Sequence, residues 1–273
     1  MYEKNTSKPQ IMGIINLTDD SFWSGSRANT RDAVRDKAAR MIAEGAHILD
    51  LGACSTRPGS RPVPPNTEKE RILMGLDAVR SVSETVALSI DSYRSEVIRS
   101  AVSRFGPVIA NDISAGEDDP DMLPMVAEMG LEYIAMHKRG TPETMQSLCR
   151  YDDVVAQVCD YFRAFAEKAR TAGLREDWIL DPGFGFAKTP QQCYEMIERL
   201  EEFTSLGQRV LVGISRKSFI YRSLGCGPEG ALEETSRLHA IALKKGASLF
   251  RVHDVSEIIS TFALLKTKQN TLC

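Results

Sequence analysis

The run DPGFGF (181–186) follows a short apolar stretch and sets a carboxylate beside backbone made tight by Pro182 and open to close approach at Gly183 and Gly185. A buried carboxylate offers two acceptor oxygens, which match the paired N–H edge of a guanidine or a 2-aminopyrimidinone. The same run also reads as a strand-ending turn in which Asp181 caps the backbone that follows. Asp91 and Asn111 close two other apolar runs. One accepts hydrogen bonds and the other both donates and accepts, so with Asp181 they can satisfy every edge of a flat, amide-bearing heterocycle. Asn111-Asp112 equally reads as a turn or N-cap pair ahead of ISAGEDDP.

Cations and hydroxyls end the last two apolar runs. In Ser215-Arg216-Lys217-Ser218, Lys217 has three chemical options: a Schiff base, an aliphatic stem laid on a flat ring, or a surface ion pair. Ser218 opens the next segment, where a helix N-terminus attracts carboxylate or phosphate. Arg251 and His253 are two residues apart on an expected strand, so they point the same way. Such a pair suits a phosphate, or is saturated by neighbouring carboxylates. Asn16 offers the neutral oxygen that Mg²⁺ accepts when a substrate diphosphate brings most of the charge. The acids beside it, Asp19 and Asp20, also fit an exposed turn. His47 and His239 are assigned structural roles.

The candidate site residues lie at or just beyond the carboxyl ends of short apolar runs, whereas His47 precedes one and His239 lies within an amphipathic stretch. The runs predict strands over 11–15, 48–51, 87–90, 108–110, 133–136, 179–180, 210–213 and 249–252. Amphipathic stretches between them predict helices over 30–44, 93–104, 120–129, 151–172, 190–206 and 229–245. Further helices are expected to open at Thr67, as a capping box with Glu70, and near Val255. Thr30 is the expected N-cap of the first helix, with Ala33, Val34, Ala38, Met41 and Ile42 as its apolar stripe. Strand and helix alternate through eight units, which predicts an α/β fold: a single (β/α)8 TIM barrel. Closure of the ring gathers all strand ends onto one face, around one site.

The chain has 273 residues with 42% hydrophobic content, enough for one barrel-sized domain, and no linker divides it. Net charge is -3, which gives no global footprint for nucleic acid. The N-terminus lacks an apolar core and no apolar run reaches about 18 residues, so neither a secretory signal nor a membrane span is expected. Cys54, Cys149, Cys159, Cys193, Cys226 and Cys273 show no metal-binding spacing, and are expected to be reduced thiols of a cytoplasmic protein.

Taken together, these segments resemble the dihydropteroate synthase family. The resemblance spans nearly the whole chain and rests on IMGIINLTDDSF (11–22), DLGACSTRPGS (50–60), SIDSYRSEV (89–97), ANDISAG (110–116), MHKRGTPETMQ (136–146), ILDPGFGFAKT (179–189), LVGISRKSFI (211–220) and FRVHDV (250–255). A pterin-binding barrel alone is shared with methyltetrahydrofolate-corrinoid methyltransferases; STRPG, SRKSF and RVHDV together point to the synthase. The resemblance implies a transferase of folate biosynthesis, coupling 6-hydroxymethyl-7,8-dihydropterin diphosphate to 4-aminobenzoate. It implies Mg²⁺, a homodimer, and inhibition by sulfonamides. It places Asp91, Asn111, Met136, Asp181, Gly213 and Lys217 around the pterin. It places Asn16, Arg251 and His253 on the diphosphate, with the metal at Asn16. Thr56, Arg57, Pro58, Phe186 and Ser218 shape the aminobenzoate site, and the catalytic set is Asp181, Lys217, Arg57, Arg251 and His253.

The chain departs from the family pattern in two loops. The usual Thr-Pro-Asp-Ser-Phe is Thr18-Asp19-Asp20-Ser21-Phe22 here, and Ser24 stands for the second acid of that loop. Cys54 replaces the usual Glu before Ser-Thr-Arg. Asp19 can substitute as the carboxylate that approaches the aminobenzoate amine. A non-catalytic pterin-binding paralogue is the other reading of the altered first loop, and a Schiff-base aldolase would use Lys217.

Overall fold

Nearly all-apolar runs too short for a helix form the strands, and amphipathic runs between them form the helices that cover them. In the computed structural model, residues 8–18, 30–54, 63–141 and 143–270 are described. The order is β1 (Gln10–Asn16), α1 (Arg31–Ala43), β2 (Ile48–Gly52), α2 (Pro65–Arg80), β3 (Ala87–Asp91), α3 (Ser95–Phe105), β4 (Ile109–Asp112), α4 (Met122–Met129), β5 (Glu132–Met136) and α5 (Val154–Ala172). It continues with β6 (Ile179–Asp181), α6 (Pro190–Glu198), α7 (Leu200–Thr204), β7 (Arg209–Val212), α8 (Ser218–Ser223), α9 (Leu232–Lys244), β8 (Leu249–Val252) and α10 (Val255–Asn270). Each strand pairs in parallel with its neighbours, and β8 closes on β1. The expected TIM barrel is therefore present.

The barrel has two apolar layers. Inside, Met12, Ile48, Ile109, Ile134, Ile179, Leu211 and Leu249 form a plug at the amino-terminal end of the strands. Outside, the second face of each strand packs on the helices. In α5, for example, Val155, Val158, Phe162, Phe165 and Ala169 are buried at spacings that keep one helix face on the sheet.

Local chemistry explains most boundaries. Thr30 caps α1 by accepting the Ala33 N–H at 3.2 Å, as expected, and Val34, Ala38 and Met41 are buried while Ala33 and Ile42 pack at its margin. Thr189 and Gln192 form a reciprocal capping box at α6. The capping box expected at Thr67 does not form, because α2 already starts at Pro65, a residue pre-set for the first helical turn. The helix expected over 190–206 divides at Arg199, whose guanidinium gathers Asp153, Glu195 and Glu202. Short 3-10 turns at Met145–Leu148 and Pro228–Ala231 lengthen the connections after β5 and β7. The described cysteines, Cys54, Cys149, Cys159, Cys193 and Cys226, are free thiols. No helix among the described residues is long and apolar enough to cross a membrane.

Candidate active site

Because side chains alternate along a strand, the residue two places after each plug residue also points into the barrel, one layer nearer its mouth. These residues are Ile14 on β1, Asp50 on β2, Asn111 on β4, Met136 on β5, Asp181 on β6, Gly213 after β7 and Arg251 on β8. Asp91 joins them from β3, in register with Gly52 and Asn111. An apolar plug thus carries a largely polar floor, on which Asp91, Asn111, Asp181 and Arg251 meet.

Arg251 lies at the centre of that floor. Its Nε donates to Asp50 Oδ2 at 2.6 Å, and its Nη2 donates to Asp91 Oδ2 at 2.7 Å. Burial opposes the Arg251 charge, but Asp50 and Asp91 more than offset it and raise its pKa. Asp50 is fully buried and also accepts from Ser89 Oγ at 2.6 Å and from Asn111 Nδ2 at 3.3 Å. Burial lifts Asp91 to about 7, against the pull of Arg251, with Asp50, Glu68 and Asp181 pushing it further up. The carboxylate-saturated reading of Arg251 therefore describes two of its nitrogens. Nη1 has no hydrogen-bond partner among the described residues.

Asp181 faces the same floor. Its Oδ1 accepts the Gly183 N–H at 2.8 Å, so the turn reading accounts for one oxygen of the carboxylate. Burial raises its pKa, opposed by Lys217, then by the Gly183 N–H and by Arg251. Gly183 has φ +70, and a Cβ there would lie 2.0 Å from the His137 carbonyl, so only glycine lets the turn fold onto β5. Lys217 Nζ donates to the Phe184 carbonyl and lies 4.7 Å from the Phe186 ring centre. The stem and ammonium turn inward over the 181–186 loop. Burial lowers Lys217 to about 8, with Asp181 opposing.

His253, just beyond β8, donates its backbone N–H to Ser215 Oγ at 3.1 Å. Its Nδ1 lies 3.2 Å from the same oxygen. A serine hydroxyl donating to Nδ1 leaves the ring proton on Nε2, the tautomer that can donate to an anion. Asn16 ends β1 in register with Gly52, next to Asp91 of the following strand. Gly213 leaves room beside Arg251, whose Cβ is 3.9 Å from where a Gly213 Cβ would sit. Ser218 is exposed at the start of α8, and Phe186 is half-buried. Thr56, Arg57 and Pro58, with Asp19 and Ser24, lie outside the described residues.

Several neighbours proved structural. Asp112 accepts from the Ser114 and Gly116 backbone, from Ser114 Oγ and from Tyr133 Oη, so the turn reading holds for Asp112 while Asn111 faces the floor. Arg216 forms a two-point ion pair with Asp254 that ties the loops after β7 and β8 together. His47 accepts the Ile11 N–H through Nδ1 at 3.1 Å. Cys54 lies beside Arg94 and the fully buried Glu68, and burial followed by Glu68 pushes its thiol to about 12. It is thus a neutral thiol. Asp50 is a strand-end carboxylate of the second apolar run that sequence reasoning left without a site role, although its place two residues after the plug residue Ile48 was a readable signal. Lys188 carried no such signal.

A family model described as pterin binding enzyme matches residues 12–253. The chain is 40% identical over 270 residues to the dihydropteroate synthase of Escherichia coli (strain K12), covering 97% of this chain and 94% of the relative. Among solved structures, the Yersinia pestis dihydropteroate synthase with a sulfonamide drug complex superposes with a TM-score of 0.90 at 33% identity, covering 97% of this chain and 95% of that one. The Xanthomonas albilineans dihydropteroate synthase in complex with 7,8-dihydropteroate gives 0.83 at 31% identity, over 96% of this chain and 94% of that one.

Proposed function

This chain belongs to the pterin-binding enzyme family, as one of its dihydropteroate synthases, and from that membership we propose how its barrel mouth works. It is a transferase of folate biosynthesis. It condenses 6-hydroxymethyl-7,8-dihydropterin diphosphate with 4-aminobenzoate, giving dihydropteroate and diphosphate.

The pterin lies on the polar floor. The outward oxygen of Asp181 takes the N–H edge of its aminopyrimidinone ring, while Asp91 and Asn111 meet the opposite edge. Met136 and Gly213 give the ring an apolar wall and clearance. The stem of Lys217 covers it. Arg251 is held by Asp50 and Asp91, which assigns it first to shaping the floor, with Nη1 directed to the diphosphate. His253 and Asn16 sit nearer the rim and take the departing group. In the reaction the bond from the exocyclic methylene to the diphosphate oxygen breaks, and its electron pair leaves with diphosphate. Positive charge spreads into the ring, where Asp181 stabilises it. The amine of 4-aminobenzoate, its ring on Phe186 and its carboxylate toward Ser218, forms the new C–N bond and releases a proton. Arg57, with Thr56 and Pro58, completes this second pocket.

Mg²⁺ belongs to this reading. The donor set fits an ion that arrives with the diphosphate: Asn16 contributes a neutral hard oxygen, and among the described residues no group of three His, Cys, Asp or Glu forms a separate cage. When bound, the ion neutralises charge on the leaving oxygens. The family resemblance further supports a cytoplasmic homodimer and competition between sulfonamides and aminobenzoate, the latter also by the sulfonamide complex of the Yersinia pestis relative.

The observation that carries the mechanism is the meeting of Asp181, Lys217 and Arg251 in one cup. The deciding experiment is turnover with both substrates and Mg²⁺. Dihydropteroate formation that requires aminobenzoate, and stops on chelation, is expected. Tight pterin binding without product would identify a non-catalytic paralogue, and methyl transfer to a corrinoid without diphosphate chemistry would identify the other branch of the fold.

A further inference from the structure

Behind the 181–186 loop lies a charged group the mechanism does not use. Lys188 is buried with 3% exposure. Its Nζ donates to the Gly183 carbonyl at 3.1 Å and the Phe186 carbonyl at 3.0 Å, and lies 2.9 Å from His137 Nδ1. An ammonium has three N–H donors, and here it meets three acceptors. The lysine's own backbone is anchored, because the next residue, Thr189, starts the capping box of α6. His137 is anchored as well: its N–H donates to the Asp181 carbonyl at 3.0 Å, and its ring packs edge-on against Tyr161 with centres 4.8 Å apart.

We propose that Lys188 is a positioning residue for the second substrate. Its ammonium ties the turn between Gly183 and Phe186 to His137 and so fixes the Phe186 ring on which 4-aminobenzoate rests. This rests on the assignment of Phe186 to the aminobenzoate half of the site. Asp181 depends less on the tie, because β6 and the Gly183 N–H already hold its carboxylate. Phe186 lies at the far end of the loop, where its own N–H closes the turn on the Gly183 carbonyl at 3.1 Å, the Gly185 N–H meets Cys193 Sγ at 3.2 Å, and Lys188 and Lys217 add contacts to the carbonyls of Phe186 and Phe184.

Proton count gives the tie a chemical signature. The charged and titratable groups facing Lys188 are Asp181 from β6, Cys193 from α6, His137 and Arg139 after β5, and Lys217 after β7. Burial lowers Lys188 to about 7, with Cys193 and Asp181 opposing and Lys217 and Arg139 assisting. A neutral amine has two donors and a lone pair, so one of the three donated hydrogen bonds is lost as pH rises.

The test compares the wild-type chain with Lys188→Met and Lys188→Gln. Each substrate is varied in turn, and hydrogen exchange is followed over residues 183–187. Losing charged hydrogen bonds is expected to raise the aminobenzoate KM of Lys188→Met about tenfold, keep the pterin diphosphate KM within about threefold, and speed exchange in the loop about tenfold. Lys188→Gln, which keeps two N–H donors, should recover part of each effect. Unchanged KM and exchange, or both KM values rising together, would overturn the proposal. If Lys188→Met does not fold, His137→Phe removes one acceptor and leaves the lysine; a rise confined to the aminobenzoate KM supports the tie, and no rise overturns it. Exchange reads the tie without any substrate, whereas failure of the wild-type chain to form product would sink the parent assignment of function.

Discussion

Replacing Asp181 by Asn separates binding, catalysis and stability in one experiment. The Gly183 N–H, 2.8 Å from Oδ1, selects the amide oxygen of Asn for the turn. The amide NH₂ is then forced into the cup, facing the N–H edge of the pterin. Two donors meet, and a charge-assisted bond is lost. In a buried site that costs about 2 to 3 kcal/mol. Since about 1.4 kcal/mol is a factor of ten, pterin affinity should fall roughly 30- to 150-fold. The rate of diphosphate loss from saturated enzyme should fall further, because the delocalised cation also loses its counter-charge. Lys217 loses the partner that opposes its desolvation, so its pKa should drop below about 8.

Stability should move the other way. Burial holds the Asp181 carboxyl above its usual range in the fold. A group raised in this way contributes stability at low pH that is lost as pH rises through its folded value, so at neutral pH its charge is a cost. The Asn variant should melt at the same temperature as wild type or higher, a trade of stability for function. Calorimetric titration with pterin, single-turnover diphosphate release and a thermal melt make the comparison. Wild-type affinity and turnover would refute the assignment of Asp181. A large loss of activity with an equally large loss of stability would refute the claim that its charge serves the ligand.

Asp50→Asn should destabilise the fold by about 3 kcal/mol in urea denaturation, because it strips one carboxylate from the buried Arg251; an unchanged midpoint would show the pair to be neutral. The pH profile of kcat/KM for pterin diphosphate should be a narrow bell, with an acid limb from Asp91 near 7 and an alkaline limb from Lys217 near 8. Asp91→Asn should remove the acid limb, and a wild-type plateau across both values would contradict the assignment. His239 is fully buried, neither ring nitrogen has a hydrogen-bond partner, and burial lowers it to about 3. The unfolded chain therefore takes up the proton first as pH falls from about 6.5, and stability should decline by about 1.4 kcal/mol per pH unit. His137, lowered by burial and Lys188 to about 2, adds to that slope. His239→Leu should raise the melting temperature and flatten the slope by one histidine; an unaltered slope would place the proton elsewhere.

The strands and most helices were legible because their signals are local. A plug residue such as Ile179, followed two places on by Asp181, shows both the inward face and the polar layer. What sequence could not supply was who meets whom. Arg251 and His253 looked alike as strand-end cations, yet one is held between Asp50 and Asp91 and the other meets Ser215. That outcome depends on carboxylates from β2 and β3, far along the chain, and no local pattern encodes it. Asn111 and Asp112 posed the reverse problem. Asp112 holds the turn while Asn111 faces the floor, because successive side chains on β4 point to opposite faces. Lys188 was invisible for a simpler reason. A lysine at the start of a helix usually reaches solvent; this one turns inward because a glycine-rich loop leaves its carbonyls there to be met.

These placements give the cup a charge gradient along the barrel axis. Lowest is the apolar plug, then a floor where Asp50, Asp91 and Asp181 outnumber Arg251 and Lys217. Above lie the neutral oxygen of Asn16 and the imidazole of His253. In the proposed mechanism a floor rich in carboxylate repels the diphosphate, which is therefore assigned to the rim together with the cation that accompanies it. The scissile C–O bond then spans the gradient. Positive charge developing on the methylene and ring moves toward the carboxylates, and negative charge moves toward the rim. Burial strengthens both ends, since it deprives each group of water that would otherwise screen it. It also displaces Asp91 and Asp181 upward and Lys217 downward from their usual pKa ranges, so the free floor holds its charges at a cost that a ligand's N–H groups relieve. The same desolvation that weakens the empty fold is what makes the occupied site polarise its substrate.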